Sequence, residues 1–297
     1  DYFLEWRPAL LEQLHEQVKV NYARDTLLLY YDVTNYYFEI DEPDSLRAKG
    51  VSKEHRPNPI VQMGLFLDAN GLPVSYELYR GNTNDCTTLP SMLDDTVVDF
   101  GLHHLIIVAD KGMMSGDNIA KIRLGHNGYV MSYSVRGADK AFKDYVLDEE
   151  GYSAVYDSEG KLVAKHKSRY SPREIWVTDS NGKRTKSIVN ERQIVIYSEQ
   201  YAQRTRHERA LAIEKASGQI YALSKDAKTS SYGSAKYIKK VPFDKTTGEC
   251  FPETEYLVML DDVRIDADEK LDGYYVICTN VIGLTKGQKP FRAPYRY

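Results

Sequence analysis

Two short apolar runs rich in β-forming residues each close on an aspartate: LLLYYDVT (27–34) on Asp32 and HLIIVADKG (104–112) on Asp110. Runs of this kind call for cover, so they predict a sheet whose central strands lie beneath helices. A carboxylate at the end of such a strand stands where the sheet meets solvent. If the two strands are neighbours, their ends bring together hard oxygen donors of the kind a divalent cation takes, which points to phosphodiester chemistry. Taken singly, each aspartate could equally cap a turn or bond a loop.

The elements around these runs give the order. Residues 2 to 23 place Leu10, Leu11, Leu14 and Val18 at helical spacing behind Trp6 and Pro8, which predicts a helix leading into the core. TLLLYYDVTNYYFEI reads as a strand whose first half is buried on both faces. The charged stretch 41–59, with Pro43, Gly50, Pro57 and Pro59, reads as an exposed loop. IVQMGLFLDANGLPVSYELY then forms a hairpin around Asp68 to Gly71. Thr87 or Thr88 is placed to cap a helix that buries Leu89, Met92, Leu93, Val97 and Val98 and stops at Gly101. The second apolar run, a helix around Asn118 to Leu124 and the strand YVMSYSV complete a mixed α/β pattern with helices on the sheet faces.

From Gly137 the texture changes. A short helix (138–146) precedes GYSAVYDSEGKLVAKH and EIWVTDSNGKRTKSIVNERQIVIYS, where Glu159-Gly160 and Asn181-Gly182 mark the turns of an antiparallel sheet that looks inserted. A basic helix is expected from about Gln203 to Ala216, stopped by Ser217-Gly218, followed by strands in EYLVMLDDVRI and DGYYVICTNV. The resulting division is a helical lead-in (1–24), the first part of a core (25–136), a β-rich basic insertion (137–265) and a return to the core (266–297).

Charge sharpens that division. The formal charge of −4 is an average: residues 161–245 hold 19 Lys and Arg against 8 Asp and Glu, a local excess of 11 that leaves about −15 on the rest. Such a stretch is either a solvated hairpin surface or a phosphate-binding one. No run has the length of a membrane span, and the start, DYFLEWRPALL, has neither the basic nor the apolar region of a signal peptide. It also lacks an initiator Met, and we expect the natural chain to begin earlier. Cys86, Cys250 and Cys278 are odd in number and far apart, which argues against a disulfide framework or a zinc site and for a reducing, intracellular setting.

Four stretches carry a resemblance. YYDVTNYYFE, ELYRGNTNDCTTLPSML, VADKGMMSGDNI and DGYYVICTN, in that order, resemble the motifs of DDE transposases of bacterial insertion sequences, in the group whose ribonuclease H-like catalytic domain is interrupted by a β-rich insertion. The resemblance implies an α/β ribonuclease H-like fold. It makes Asp32 the first and Asp110 the second catalytic, metal-binding acid, holding Mg²⁺ or Mn²⁺, two ions in the complete enzyme. One ion would activate water and later the DNA 3′-hydroxyl, and the other would stabilise the leaving oxygen. The implied partners are double-stranded DNA, as transposon ends and target, and a second copy in a synaptic homodimer. The implied setting is the bacterial cytoplasm, at the nucleoid, with no membrane partner.

The family's third acid is a Glu on a helix that also bears Tyr, Arg and Lys. Nothing before TKGQKPFRAPYRY matches it, and Glu253, Glu255 and Glu269 fall too early, in strand or loop context. We therefore expect the third carboxylate beyond Tyr297, and expect the 297-residue chain alone to bind DNA in a salt-sensitive way without nicking it. In the same comparison the basic segment would grip DNA. Tyr170, Trp176 and Tyr197 either stack on bases or, as we expect of Trp176 and Tyr197, belong to the core of the insertion's sheet.

Other chemistries find less support. His103 and His104 read as the solvated entry to a strand, GVSKEHRPNP is not a phosphate loop, and Ser115 lacks a GxSxG elbow. The rival readings are a ribonuclease H-like nuclease without strand transfer and a DNA-binding fragment without catalysis.

Overall fold

A computed structural model of the chain describes residues 2–50, 57–222, 230, 233–243 and 255–281. They form two compact units: residues 1–133, 168–194 and 277–297 make the first, 134–167 and 195–276 the second. The chain runs through α1 (Tyr2–Tyr22), β1 (Leu28–Tyr37), β2 (Ile60–Leu67), β3 (Pro73–Arg80), α2 (Thr88–Phe100), β4 (Ile106–Ala109), α3 (Gly116–Leu124) and β5 (Gly128–Tyr133). It continues with α4 (Lys140–Leu147), β6 (Ser153–Tyr156), β7 (Leu162–Thr178), β8 (Arg184–Ser198), α5 (Glu199–Ala222), β9 (Ile238–Phe243), β10 (Glu255–Leu260), α6 (Asp262–Glu269) and β11 (Tyr274–Thr279).

In the first unit β3, β2, β1, β4 and β5 are neighbours in that order. β2 is antiparallel to both β1 and β3, whereas β1, β4 and β5 run parallel. This mixed α/β sheet is the ribonuclease H-like arrangement expected from the sequence. The alternation of β1 sets its core: Leu29, Tyr31 and Val33 are buried, while Leu28 and Tyr30 are half-buried and Asp32 is exposed. The first half of the strand is thus fully covered on one face only, a correction to the expectation of two. α2 lies against the covered face. Gly64 of β2 makes room there, because a Cβ at that position would stand 2.6 Å from the Tyr31 hydroxyl and 3.1 Å from Met92 Sδ.

Helical geometry corrects two further expectations. In α1 Leu10 and Leu14 are about half exposed and Leu11 is half-buried, and among the described side chains of the helix the buried one is His15, stacked on Phe100 of α2 at 4.6 Å. In α2 the inward positions are Leu89, Met92, Leu93 and Thr96, the i, i+3, i+4, i+7 series, and Val98 is exposed. Thr87 stands at the N-cap but makes no side-chain cap bond. That work passes to the preceding 3-10 turn (Asp85–Thr87), where Asn84 accepts from the Cys86 amide.

In the second unit α4 is capped by Asp139, whose Oδ1 accepts from the Phe142 amide at 2.8 Å. α5 runs through Ser217-Gly218, where the sequence predicted a stop. A single interior glycine costs a helix about 1 kcal/mol, and Ala216, packed with Tyr237, Ile238 and Val258, holds the turn in place. β9 and β10 pair antiparallel. The segment DDVRI, expected to continue a strand, instead opens α6, because the Asp261 side chain accepts from the Arg264 amide and caps the helix. Lys161 to Lys245 and the segment 285–297 lie partly or wholly outside the described residues, as do Cys250 and Glu253. Cys86 and Cys278 are free thiols.

Candidate active site

The two aspartates follow the last paired residues of neighbouring parallel strands: Asp110 directly follows β4, whereas Asp32, expected to close its strand, lies in the middle of β1, which continues to Tyr37 in its ladder with β2. The register of β1 with β4 runs Leu28↔Ile106, Leu29↔Ile107, Tyr30↔Val108 and Tyr31↔Ala109, so the next residue in each strand is Asp32 and Asp110. Parallel strands lie about 4.8 Å apart, which brings both acids onto adjacent strands where the β1–β4 pairing ends. Both residues are exposed. Asp32 also stays within the antiparallel ladder, opposite Leu65 of β2. Asp110 leaves β4 in an extended conformation (φ −78, ψ 178) and caps the 3-10 turn Lys111–Met113, its Oδ1 accepting from the Gly112 amide at 2.8 Å. The turn bond weighed as an alternative for a lone strand-end aspartate is therefore present at Asp110, and it fixes the orientation of that carboxylate.

Beneath the acids lies a buried polar layer that the sequence reading did not single out. The Tyr31 hydroxyl is 2.6 Å from Thr88 Oγ1, and Thr88 Oγ1 bonds the Asp85 carbonyl at 2.7 Å. Burial pushes the Tyr31 phenol well above its ordinary range, so it remains a neutral donor. Gln62 Nε2 donates to Asp85 Oδ1 at 2.7 Å. Asn118, at the start of α3, donates to the carbonyls of Cys86 (2.9 Å) and Met113 (2.8 Å). Burial also raises the Cys86 thiol, and the Asp85 charge adds to that. The signal available in the sequence was an Asn at the start of the helix expected around Asn118 to Leu124.

The donor set where the β1–β4 pairing ends fits a hard divalent cation in kind: two carboxylates on adjacent strands, one held by a backbone amide. Among the described residues no cluster of three or more His, Cys, Asp or Glu side chains could hold a metal. Of the acids considered as a third ligand, Glu269 is exposed at the end of α6 and lies 3.4 Å from Arg209. Glu255 belongs to β10. His103 and His104 are exposed ahead of β4, as expected of a strand entry.

The basic segment divides by burial. Several of its cations are internal: Lys165 and Lys167 are buried, Lys165 on Glu149 (2.6 Å) and over the rings of Tyr152, Tyr197 and Tyr274. Lys167 bonds the Asp148 carbonyl at 2.6 Å, Arg173 pairs with Glu191, and Arg209 pairs with Asp272. The outward face of β7 and β8 carries Tyr170, Trp176, Arg184, Lys186 and Arg192. Trp176 was expected in a core and is instead 48% exposed, because alternation turns Ile175 inward. Arg184 and Lys186 stand 5.6 and 5.5 Å from the Trp176 ring centre. Tyr197 is half-buried, its ring 5.1 Å from that of Tyr274.

The fold belongs to the ribonuclease H-like α/β class. Within it, the family model for the transposase DDE domain matches residues 47–218, more than half of the chain, and the chain belongs to that family. The matched stretch includes Asp110 and begins after Asp32. Among solved structures, the Mos1 transposase paired-end complex with left transposon end is 14% identical, with 43% of this chain and 42% of that one covered and a TM-score of 0.27. The piggyBac transposase synaptic complex with hairpin DNA is 8% identical, with 56% and 33% covered and a TM-score of 0.32. The Mos1 mariner paired-end complex with Mn is 13% identical, with 42% and 40% covered and a TM-score of 0.23. The chain spans less than half the length of each of these. No curated protein sequence matches it. No helix among the described residues is long and apolar enough to cross a membrane.

Proposed function

We propose that this protein catalyses DNA transposition, by metal-dependent phosphodiester hydrolysis and strand transfer at transposon ends, with Asp32 and Asp110 as catalytic metal ligands. The observation that carries the reading is the β1–β4 register, which ends at Tyr31↔Ala109 and leaves the two acids side by side. Membership of the transposase DDE domain family supports it. Mg²⁺ or Mn²⁺ bound there would supply an activated oxygen nucleophile and stabilise the leaving oxygen. The chain's own part is positional. β1 and β4 present the two carboxylates on adjacent strands, and the Gly112 amide orients that of Asp110.

The substrate in this reading is double-stranded DNA, gripped through phosphates by the outward cations of β7 and β8. The proposal extends to a homodimeric synaptic complex, a cytoplasmic setting on nucleoid DNA, and residues 137–265 as an insertion in a core made of 25–136 and 266–297. The test is a strand-transfer assay with the full-length protein and DNA carrying its element ends, in Mg²⁺ and in Mn²⁺. We expect joined product that falls to background in Asp32→Asn and in Asp110→Asn. Cleavage without joining would leave a nuclease, and joining by either variant at the unaltered rate would overturn the assignment.

A further inference from the structure

A ring of contacts, buried at Tyr31, Thr88 and Asn118, links the two acids by a route other than the sheet. Asp110 Oδ1 accepts from the Gly112 amide, and its carbonyl accepts from the Met113 amide at 3.2 Å, so the carboxylate and the Lys111–Met113 turn move together. That turn is tied to the next piece of chain by Asn118. Its two amide hydrogens go to Met113 O and Cys86 O, and the residue is 2% exposed. Cys86 lies in the Asp85–Thr87 turn, which leads directly into Thr88. Thr88 gives its single hydroxyl hydrogen to the Asp85 carbonyl, so the Tyr31 hydroxyl is the donor in the 2.6 Å contact between them. Tyr31 is the residue before Asp32. Pairing of β1 with β4 closes the ring.

The links at Tyr31, Thr88 and Asn118 lie where their loss is costly. Thr88 is fully buried and Tyr31 is 2% exposed, so no water can replace a lost partner. Asp110 stands where β4 gives way to a turn, and Asp32 stays within β1, opposite Leu65 of β2. A carboxylate pair holds a cation tightly only if its separation is kept to about 0.5 Å.

We propose that Thr88 and Asn118 are positioning residues that set the separation and orientation of the Asp32 and Asp110 carboxylates, and through them the affinity for a divalent cation. The inference rests on the metal-site reading above. The test is Mn²⁺ binding by the full-length protein, followed by the electron paramagnetic resonance signal of free Mn²⁺, with thermal unfolding measured alongside. Thr96→Val is the matched control. Thr96 lies on the same helix and makes an equally buried 2.6 Å hydroxyl contact, to Ser75, that touches neither acid.

We expect Thr88→Val and Asn118→Ala to weaken Mn²⁺ binding about 10- to 100-fold, the usual loss for residues that orient metal ligands. Thr96→Val should lose comparable thermal stability and keep its Mn²⁺ affinity. Tyr31→Phe keeps the ring on Phe66, 4.9 Å between centres, and reads the same link without opening a cavity. Asp32→Asn and Asp110→Asn serve as references. If these leave Mn²⁺ binding unchanged, the metal-site reading falls and this inference with it. If they abolish binding while Thr88→Val, Asn118→Ala and Tyr31→Phe behave like Thr96→Val, the metal site stands and the positioning role is overturned.

Discussion

Arg173 meets Glu191 side-on in the interior of the first unit, with Nε 2.7 Å from Oε1 and a terminal nitrogen 3.0 Å from Oε2. Glu191 is 1% exposed and also accepts from the Tyr129 hydroxyl and from Gln193. Removing one member of such a pair strands a buried charge and costs about 3–5 kcal/mol, whereas replacing both with apolar residues of similar size is close to neutral. Arg173→Met should therefore lower the urea midpoint far more than Arg173→Met combined with Glu191→Leu.

The same pair gives an acid dependence. Burial works to raise the Glu191 pKa, but hydrogen bonds and charge from Arg173, with help from Tyr129 and Gln193, hold it below its ordinary 4.5. A depressed carboxylate contributes stability that is full above the unfolded value and is lost as pH falls through the folded one. Urea midpoints measured downward from pH about 5 should fall steeply in the unaltered protein and less steeply in Glu191→Gln.

His15 acts over a higher window. Burial, and then the charge of Arg24, lower its pKa from 6.5. The unfolded chain then binds the proton more readily, so stability is full above pH about 6.5 and declines as pH falls below it. His15→Phe keeps a ring against Phe100 and removes the titration. We expect its urea midpoint to lose the slope between pH about 5 and 7 that the unaltered protein shows.

Gly81 has a packing requirement that its turn alone would not reveal. A Cβ there would lie 2.0 Å from the Ile60 carbonyl oxygen and 2.5 Å from that of Ala48, both backbone atoms. Gly81→Ala should cost roughly 1–3 kcal/mol through overpacking. Gly182 offers a contrast: it has open space around it but φ of +76, so Gly182→Ala pays only the left-handed backbone, about 1–2 kcal/mol. Paired denaturation curves would rank the two.

For DNA, the outward and inward cations should separate. Each of Arg184→Ala and Arg192→Ala should lower the slope of log affinity against log salt by about 1. Lys167→Met, which alters a buried cation over Tyr145 and Tyr152, should leave that slope unchanged. Fluorescence anisotropy with duplex DNA across a salt series would measure both.

How much was legible in the sequence can be judged from particular elements. β1, the β2–β3 hairpin, β4 and the helices between them follow from apolar runs and turn residues, because those signals act over a few neighbours. The extension of α5 past Gly218 and the helix α6 at DDVRI did not follow. In the first, packing at Ala216 outweighed a local breaker, and in the second a cap at Asp261 redirected a segment that resembled a strand. Charge counting likewise overstated the basic face, since Lys165, Lys167, Arg173 and Arg209 are committed to internal partners.

The sequence by itself determined the apolar runs that become β1 and β4 and the aspartate that follows each run, because those signals are local; it misplaced the end of β1, which continues past Asp32 to Tyr37 by pairing with β2. Whether Asp32 and Asp110 stand together was decided by the tertiary structure alone. It rests on the pairing of β1 with β4, separated by more than sixty residues of chain, and on Thr88 and Asn118, whose buried hydrogen bonds have no counterpart in any local pattern.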